Sequence, residues 1–293
     1  MSKIAITGAT GLLGRALVKV LKTQHTIIEC GFRRATAQQV ALDLSDRVAV
    51  NTFLDEYAPD VLIHAAAERK PDVCENDHAQ TLALNVAASD HLAKQCAQRG
   101  IRLFFISTDY VFDGTQPPYI EQAKTNPLNF YGQSKQQAEQ AVLASDATHS
   151  VIRVPVLYGD VEYLSESAVT VIAEQLKSDP NSAHDNWAIR YPTHVEDIAL
   201  TLADLIALPK AQLGGVYHVS DTQALTKYQM ALTIASVLGL EGASIVALPE
   251  PTHSAARPHN CALKDTRLHT LGIAHRRDFA GAIAAVLSQH VQG

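Results

Sequence analysis

"YGQSK" at 131–135 sets a phenol, Tyr131, four residues before an ammonium, Lys135. That interval returns a helix to the same face, so both side chains can point one way. Alone the pair says little, because it recurs by chance on surface helices. Upstream, "ISTDYVFDG" supplies Ser107, Thr108 and Asp109 at the end of an apolar run. A hydroxyl, a phenol and an ammonium brought together suit the reduction of a ketone. Adding a hydride to a carbonyl carbon creates an alkoxide, which needs a proton donor within hydrogen-bond reach. Tyr131 can be that donor if its pKa, about 10 unperturbed, falls. A neighbouring ammonium and a cationic oxidised nicotinamide both push it down. Thr108 would hold the carbonyl oxygen, and Lys135 would also bind the nicotinamide ribose.

A hydride needs a source, and the amino-terminal stretch offers a place for one. "TGATGLLG" follows an apolar run and opens a helical pattern, with Gly8, Gly11 and Gly14 at the spacing of a dinucleotide loop. Glycine there permits the tight turn, the approach of backbone to a pyrophosphate and close packing of helix on strand. The helix N-terminus then presents free N–H groups and a positive dipole end. A plain glycine-rich turn is the bland alternative, and the strand–loop–helix context disfavours it. At the end of the second strand an acidic residue would select NAD, whereas arginine accommodates a 2′-phosphate. Here the stretch reads "ECGFRR", and Arg33 with Arg34 gives two guanidinium forks suited to phosphate. NADP(H) is the expected cofactor. In "LDL", Asp43 can accept from the adenine amino group and Leu44 can flank the ring.

The elements that must position these groups read as alternating strands and helices. "KIAIT" (3–7), "TIIECGF" (26–32), "VLIHAAA" (61–67), "RLFFIST" (102–108) and "SVIRVPVLYG" (150–159) are near-continuously apolar, as buried parallel strands must be. A shorter strand ends at "ALDL" (41–44). Helical patterns fall near 12–23, 47–57, 77–99 and 131–145. This alternation predicts an α/β, doubly wound parallel sheet of the Rossmann kind. Beyond residue 160, helices near 165–178, 194–207 and 226–238 mix with "GVYHVS" (215–220) and "SIVALP" (244–249). We expect a dinucleotide-binding domain over 1–157, completed by parts of 192–220, and a smaller interleaved substrate lobe mainly over 158–293.

Composition narrows the classes. With 293 residues, 47% of them hydrophobic, the chain can bury a large core. A net charge of −6 shows no basic stripe and argues against nucleic acid. No apolar run approaches a membrane span, and "MSKIAITG" enters a strand with no signal peptide, so a cytoplasmic location is expected. Cys30, Cys74, Cys96 and Cys261 lie far apart and read as reduced thiols. The 13 histidines show no His-x-x-x-His spacing, and no metal is expected.

"TGATGLLG", "HAAA", Asn85, "STDYVFDG" and "YGQSK" together resemble an extended short-chain dehydrogenase/reductase, similar to the dTDP-4-dehydrorhamnose reductase family. The resemblance runs through "PTHVEDIA" (192–199) to "RPHNCALKDTRLHTLGI" (257–273). It implies Thr108, Tyr131 and Lys135 as the catalytic set. It also implies a cofactor site lined by Gly8, Thr10, Gly11, Leu12, Leu13, Gly14, Arg33, Arg34, Asp43 and Leu44. Ala65, Ala66, Ala67, Asn85, Ser107 and Val154 would complete it, together with Tyr131 and Lys135. The implied substrate is a 4-keto nucleotide sugar, as in dTDP-rhamnose biosynthesis. Its diphosphate needs cationic partners, for which Lys70, Arg190 and Arg257 are the candidates, with Asp72, Asp109 and Val156 also facing substrate.

Two places depart from that family. After "HAAA" a Tyr-Thr-containing loop is usual, whereas this chain has "ERKPDVCE", and Val156 stands where a tryptophan is common. Loss of that ring removes contact surface for a sugar, though core packing is the default role for Val156. "AAERKPDVCEN", "RVPVLYG", "ESAVTV" (166–171), "YPTHV" and "TKYQMA" (226–231) are similar to another branch, the regulatory β subunits of methionine adenosyltransferase. That resemblance implies NADP binding and the catalytic subunit of methionine adenosyltransferase as partner. There the contact is made by a C-terminal tail, whereas this chain ends at "LSQHVQG". A homodimer is compatible with either reading. Trp187 is expected to pack between lobes or line the cleft, and His194 to cap or pack near a helix start.

Overall fold

Apolar runs of strand length assemble into one parallel sheet in the computed structural model, which describes residues 1–240, 242–250 and 255–290. The order is β1 (Lys3–Thr7), α1 (Leu12–Leu21), β2 (Thr26–Gly31), β3 (Val40–Ala41), α2 (Arg47–Tyr57) and β4 (Val61–His64). Next come α3 (Pro71–Asn76), α4 (His78–Thr81), a π-helical turn (Leu82–Ala87), α5 (Ala88–Gln98) and β5 (Arg102–Thr108). After α6 (Phe130–Ser145) follow β6 (Ser150–Val154), β7 (Leu157–Tyr158), α7 (Val171–Ser178), β8 (Ala183–Asp185) and β9 (Thr193–His194). The remainder is α8 (Val195–Ala207), β10 (Gly215–His218), α9 (Lys227–Val237), β11 (Val246–Leu248), α10 (Arg267–Leu271) and α11 (Phe279–Ser288).

The strands lie in the order β10-β6-β5-β4-β1-β2-β3, all pairs parallel. Strand order reverses between β1 and β4, and that switch point opens a crevice at the carboxyl edge. Register pairs Thr7 with His64 and Thr108 with Val154, so the loops leaving β1, β4, β5 and β6 start from one edge.

Period-two alternation sends Ile4 and Ile6 against α1 and α8 on one face, and Ala5 toward α2, α5 and α6 on the other. Each fully buried isoleucine contributes roughly 1.5–3 kcal/mol. A third cluster lies beyond the sheet, where Ile172, Leu176, Met230, Ile234, Ile283 and Val286 join α7, α9 and α11 around Tyr158. Among the described residues no helix is long and apolar enough to cross a membrane.

Several boundaries differ from expectation. The run 150–159 is not one strand: Pro155 lacks the N–H a ladder requires, and after it β7 pairs with β9 in a separate small sheet. The third strand ends at Ala41, short of the "LDL" stretch, and the fourth ends at His64. The helix expected over 77–99 is interrupted by the π-helical turn that carries Asn85. The helix expected near 165 starts at Val171. Within the 192–220 stretch expected to add to the dinucleotide-binding domain, Gly215–His218 forms an edge strand of the main sheet, pairing with β6.

Candidate active site

A cleft of ≈ 1130 Å³ runs along the carboxyl edge. That exceeds the ~300–1,000 Å³ of an ordinary small-ligand pocket and leaves room for two ligands end to end. In one half, Gly8, Thr10, Gly11, Leu12, Leu13 and Gly14 form the floor. Gly11 caps α1 without any side-chain bond, so the first-turn amides stay open to the cleft. A methyl at Gly14 would overlap the Gly8 carbonyl, so the position has no room for a side chain.

Arg33 and Arg34 stand at the rim with different freedom. Arg34 donates to the Thr10 carbonyl at 2.8 Å and to Glu162 at 3.2 Å. Arg33 makes no hydrogen bond or ion pair to a described residue, so its fork is available to a phosphate. Asp43 and Leu44 line the same end, with Asp43 Oδ1 accepting from the amide and hydroxyl of Ser45 at 2.9 and 2.7 Å. Ala65, Ala66, Ala67, Ser107 and Val154 line the wall toward the middle. This half has the floor, amides and cation that a phosphorylated dinucleotide needs.

At the middle, β5 and α6 bring Thr108, Tyr131 and Lys135 to the same cleft. Asn129 caps α6 through the Gly132 amide at 2.8 Å, which fixes where the helix begins. Gly132 lets α6 approach the Tyr110 carbonyl, where a Cβ would collide. Burial raises the Tyr131 phenol above its ordinary value, with hydrogen bonding to Thr108 pulling the other way. The expectation of a lowered phenol is therefore not met in the protein alone, because desolvation dominates; the phenol retains its proton. Burial brings Lys135 down to about 7, opposed by Glu139 one helical turn on. Its Nζ donates to the Ile106 carbonyl at 2.7 Å and sits 3.9 Å from the Phe105 ring centroid. Ser107 donates to Glu139 at 2.5 Å, and Arg153 grips the same carboxylate with Nε at 3.0 Å and Nη2 at 2.7 Å. Burial pushes the Asp109 carboxyl up to about 6, against the pull of Arg190.

Asn85 does not line the cleft, contrary to expectation. It is 1% exposed, and its amide is fully engaged. Its oxygen accepts from the Glu68 amide at 2.9 Å, and its nitrogen donates to the Glu68 carbonyl at 3.0 Å and to Ser134 Oγ at 3.1 Å. Ser134 in turn donates to the Tyr131 carbonyl at 2.7 Å. Asn85 thus braces the loop after β4 against the start of α6.

The far half is lined by Lys70, Asp72, Asp109, Val156, Arg190 and Arg257. Arg257 pairs with Asp72 at 2.8 Å inside the cleft, and Arg190 holds the Pro258 carbonyl at 3.0 Å. Val156 faces the cleft and also packs on the third core cluster. Trp187 is not among the lining residues; it meets His259 edge-on at 4.9 Å. His194 caps α8, accepting from the Glu196 amide at 3.2 Å. Sequence reasoning missed Tyr110, Asp185 and Lys227, all of which line this half. Lys227 carries one local signal: Thr226 and Gln229 form a capping box that places it in the first turn of α9.

A family model described as the RmlD substrate binding domain matches residues 2–292. Methionine adenosyltransferase 2 subunit beta of Bos taurus is 43% identical over 282 residues, covering 94% of this chain and 84% of that protein. A dTDP-4-keto-6-deoxy-D-glucose reductase of Streptomyces niveus is 33% identical over 250 residues, 83% of this chain and 81% of that one. Among solved structures, a dTDP-4-dehydrorhamnose reductase from Bacillus anthracis in complex with NADP superposes with a TM-score of 0.85 at 26% identity, covering 98% of each chain. A dTDP-4-dehydrorhamnose reductase from Clostridium acetobutylicum gives 0.86 at 27%, covering 98% of this chain and 99% of the other. With the match spanning nearly the whole sheet, cleft and outer cluster, the chain belongs to the RmlD substrate binding domain family of extended short-chain dehydrogenases/reductases.

Proposed function

We propose that the chain is an NADPH-dependent reductase of a keto group, acting on a 4-keto nucleotide sugar. The observation that carries this is the arrival of Thr108, Tyr131 and Lys135 in one cleft beside open first-turn amides. The NADP complex of the Bacillus anthracis relative supports the choice of cofactor. Bound NADPH supplies the hydride. The residues do the rest: Thr108 orients the carbonyl oxygen, Tyr131 gives it a proton, and Lys135 binds the nicotinamide ribose and stabilises the phenolate left on Tyr131. Arg33, Arg34 and the glycine loop hold the cofactor phosphates. The substrate lobe is drawn mainly from 158–293, apart from the parts of 192–220 that complete the dinucleotide-binding domain. Oxidation of NADPH measured against a panel of nucleotide-linked 4-keto sugars tests this; turnover with none of them removes the assignment.

A second reading is an NADP-binding regulatory subunit. It is favoured by the 43% identity to methionine adenosyltransferase 2 subunit beta. On that reading methionine adenosyltransferase is the partner, and co-elution of the two proteins after mixing is the expected result. Separate elution at micromolar concentration removes it.

A further inference from the structure

Two arginines converge on the Thr10 carbonyl of the glycine loop, and each is held by an acid from one short, distant segment. Arg34 Nη2 donates to that carbonyl at 2.8 Å and Arg15 Nη1 at 3.0 Å. Glu162 accepts from Arg34 Nη1 at 3.2 Å, and Glu166 accepts from Arg15 through both oxygens, at 2.8 and 2.7 Å. Both acids lie in residues 160–167, between β7 and α7, and Ser165, Glu166 and Ser167 line the cleft. The one acid of β2, Glu29, is engaged elsewhere, accepting from Gln39 at 2.9 Å. The carboxylate on the rim guanidinium therefore comes from 128 residues further along the chain.

The two acids are held differently. The Glu166 side chain is only 3% exposed; it also accepts from the Glu162 amide at 3.0 Å, and its own carbonyl accepts from Arg69 at 2.7 Å. Glu162 is 52% exposed and meets an arginine that is 49% exposed. Its other oxygen lies 3.7 Å from Arg15 Nη1. Glu166 thus fixes the segment to the glycine loop, and Glu162 is its releasable end. An exposed pair of that kind contributes little and exchanges partners readily.

We propose that Glu162 is a specificity-determining residue, a carboxylate that competes with the 2′-phosphate of NADP(H) for Arg34. The proposal rests on the assignment of this rim to that phosphate. Two anions then contend for one guanidinium, and like charge makes the carboxylate yield. Glu162 has a second cation within reach in Arg15, while the Glu166 anchor stays in place. NAD(H) carries a hydroxyl in place of the phosphate and leaves the Glu162–Arg34 pair intact. The coupling is reciprocal: whatever Glu162 takes from phosphate binding, the phosphate takes from the hold of Glu162 on Arg34. NADP(H) therefore loosens the free end of the 160–167 segment, and NAD(H) does not.

The test is fluorescence titration of the full chain with NADPH and with NADH, for the unmodified protein and for Glu162→Gln. Glutamine keeps the size of the side chain and removes its charge. NADPH should bind the variant about two- to fivefold more tightly, the range of one exposed ion pair. NADH affinity should stay the same, which also checks the fold. Hydrogen exchange at saturating NADP or NAD then reads the segment itself. Amides 162–166 should exchange faster with NADP than with NAD in the unmodified chain, and alike with both in Glu162→Gln. NADPH bound no more tightly by the variant, an equal shift for both cofactors, or the same exchange with NADP and NAD in the unmodified chain overturns the proposal. In those cases a preference of the unmodified chain for NADPH leaves the 2′-phosphate reading standing. Equal affinities of the unmodified chain for the two cofactors remove the reading and the proposal together.

Discussion

The Lys135 ammonium donates to the Ile106 carbonyl at 2.7 Å from a buried position at the root of the cleft. β5 and α6 are thereby tied together beside Tyr131 by one charged bond. Burial has brought this ammonium to about 7, so its charge changes near neutrality. It is charged below that value and neutral above it. Because kcat/KM for NADPH reports groups of the free enzyme, it should fall as pH rises through about 7. Lys135→Met should lower both NADPH affinity and turnover and lose this alkaline limb. The same limb in the Met variant would assign it to another group.

The two rim arginines should separate in a binding titration. Arg33→Ala should weaken NADPH by about tenfold or more, as for a charge-assisted phosphate contact, and leave NADH nearly unchanged. Arg34 also holds the Thr10 carbonyl of the glycine loop, so Arg34→Ala should weaken both cofactors. Equal affinities for NADPH and NADH in the unmodified protein would contradict the assignment of this rim to a 2′-phosphate.

Much of this site was legible because its signals are local. The glycine loop, the "STDY" stretch and the Tyr131–Lys135 interval each sit within one strand–loop–helix unit, and the cleft collects all three. Asn85 shows the limit: its residue type fits a ligand contact, but the π-helical turn aims it at Glu68 and Ser134. Lys227 was missed because the cleft brings it to Arg190 and Arg257 from a distant part of the chain. The break at Pro155 was written in the residue itself and was overridden by the apolar run around it.

His64 predicts an acid limit on stability. It is buried between Thr7 Oγ1 at 2.7 Å and Ser89 Oγ at 3.0 Å, and burial lowers it from 6.5 to about 3. As pH falls below 6.5 the unfolded chain takes up this proton first, so stability is full above 6.5 and is lost toward about 3. The slope from one such group reaches about 1.4 kcal/mol per pH unit. Urea unfolding should show His64→Asn less stable at neutral pH but with a flatter decline into acid. An equally steep decline in that variant would place the lost proton elsewhere.

The central claim is that Tyr131 gives its proton to a carbonyl reduced from NADPH. The most direct measurement compares single-turnover NADPH oxidation by the unmodified chain and by Tyr131→Phe, with the same keto sugar and with cofactor affinity measured in parallel. The account predicts matching NADPH affinities and a rate at least about 100-fold lower in the variant. Equal rates in the two proteins would contradict it.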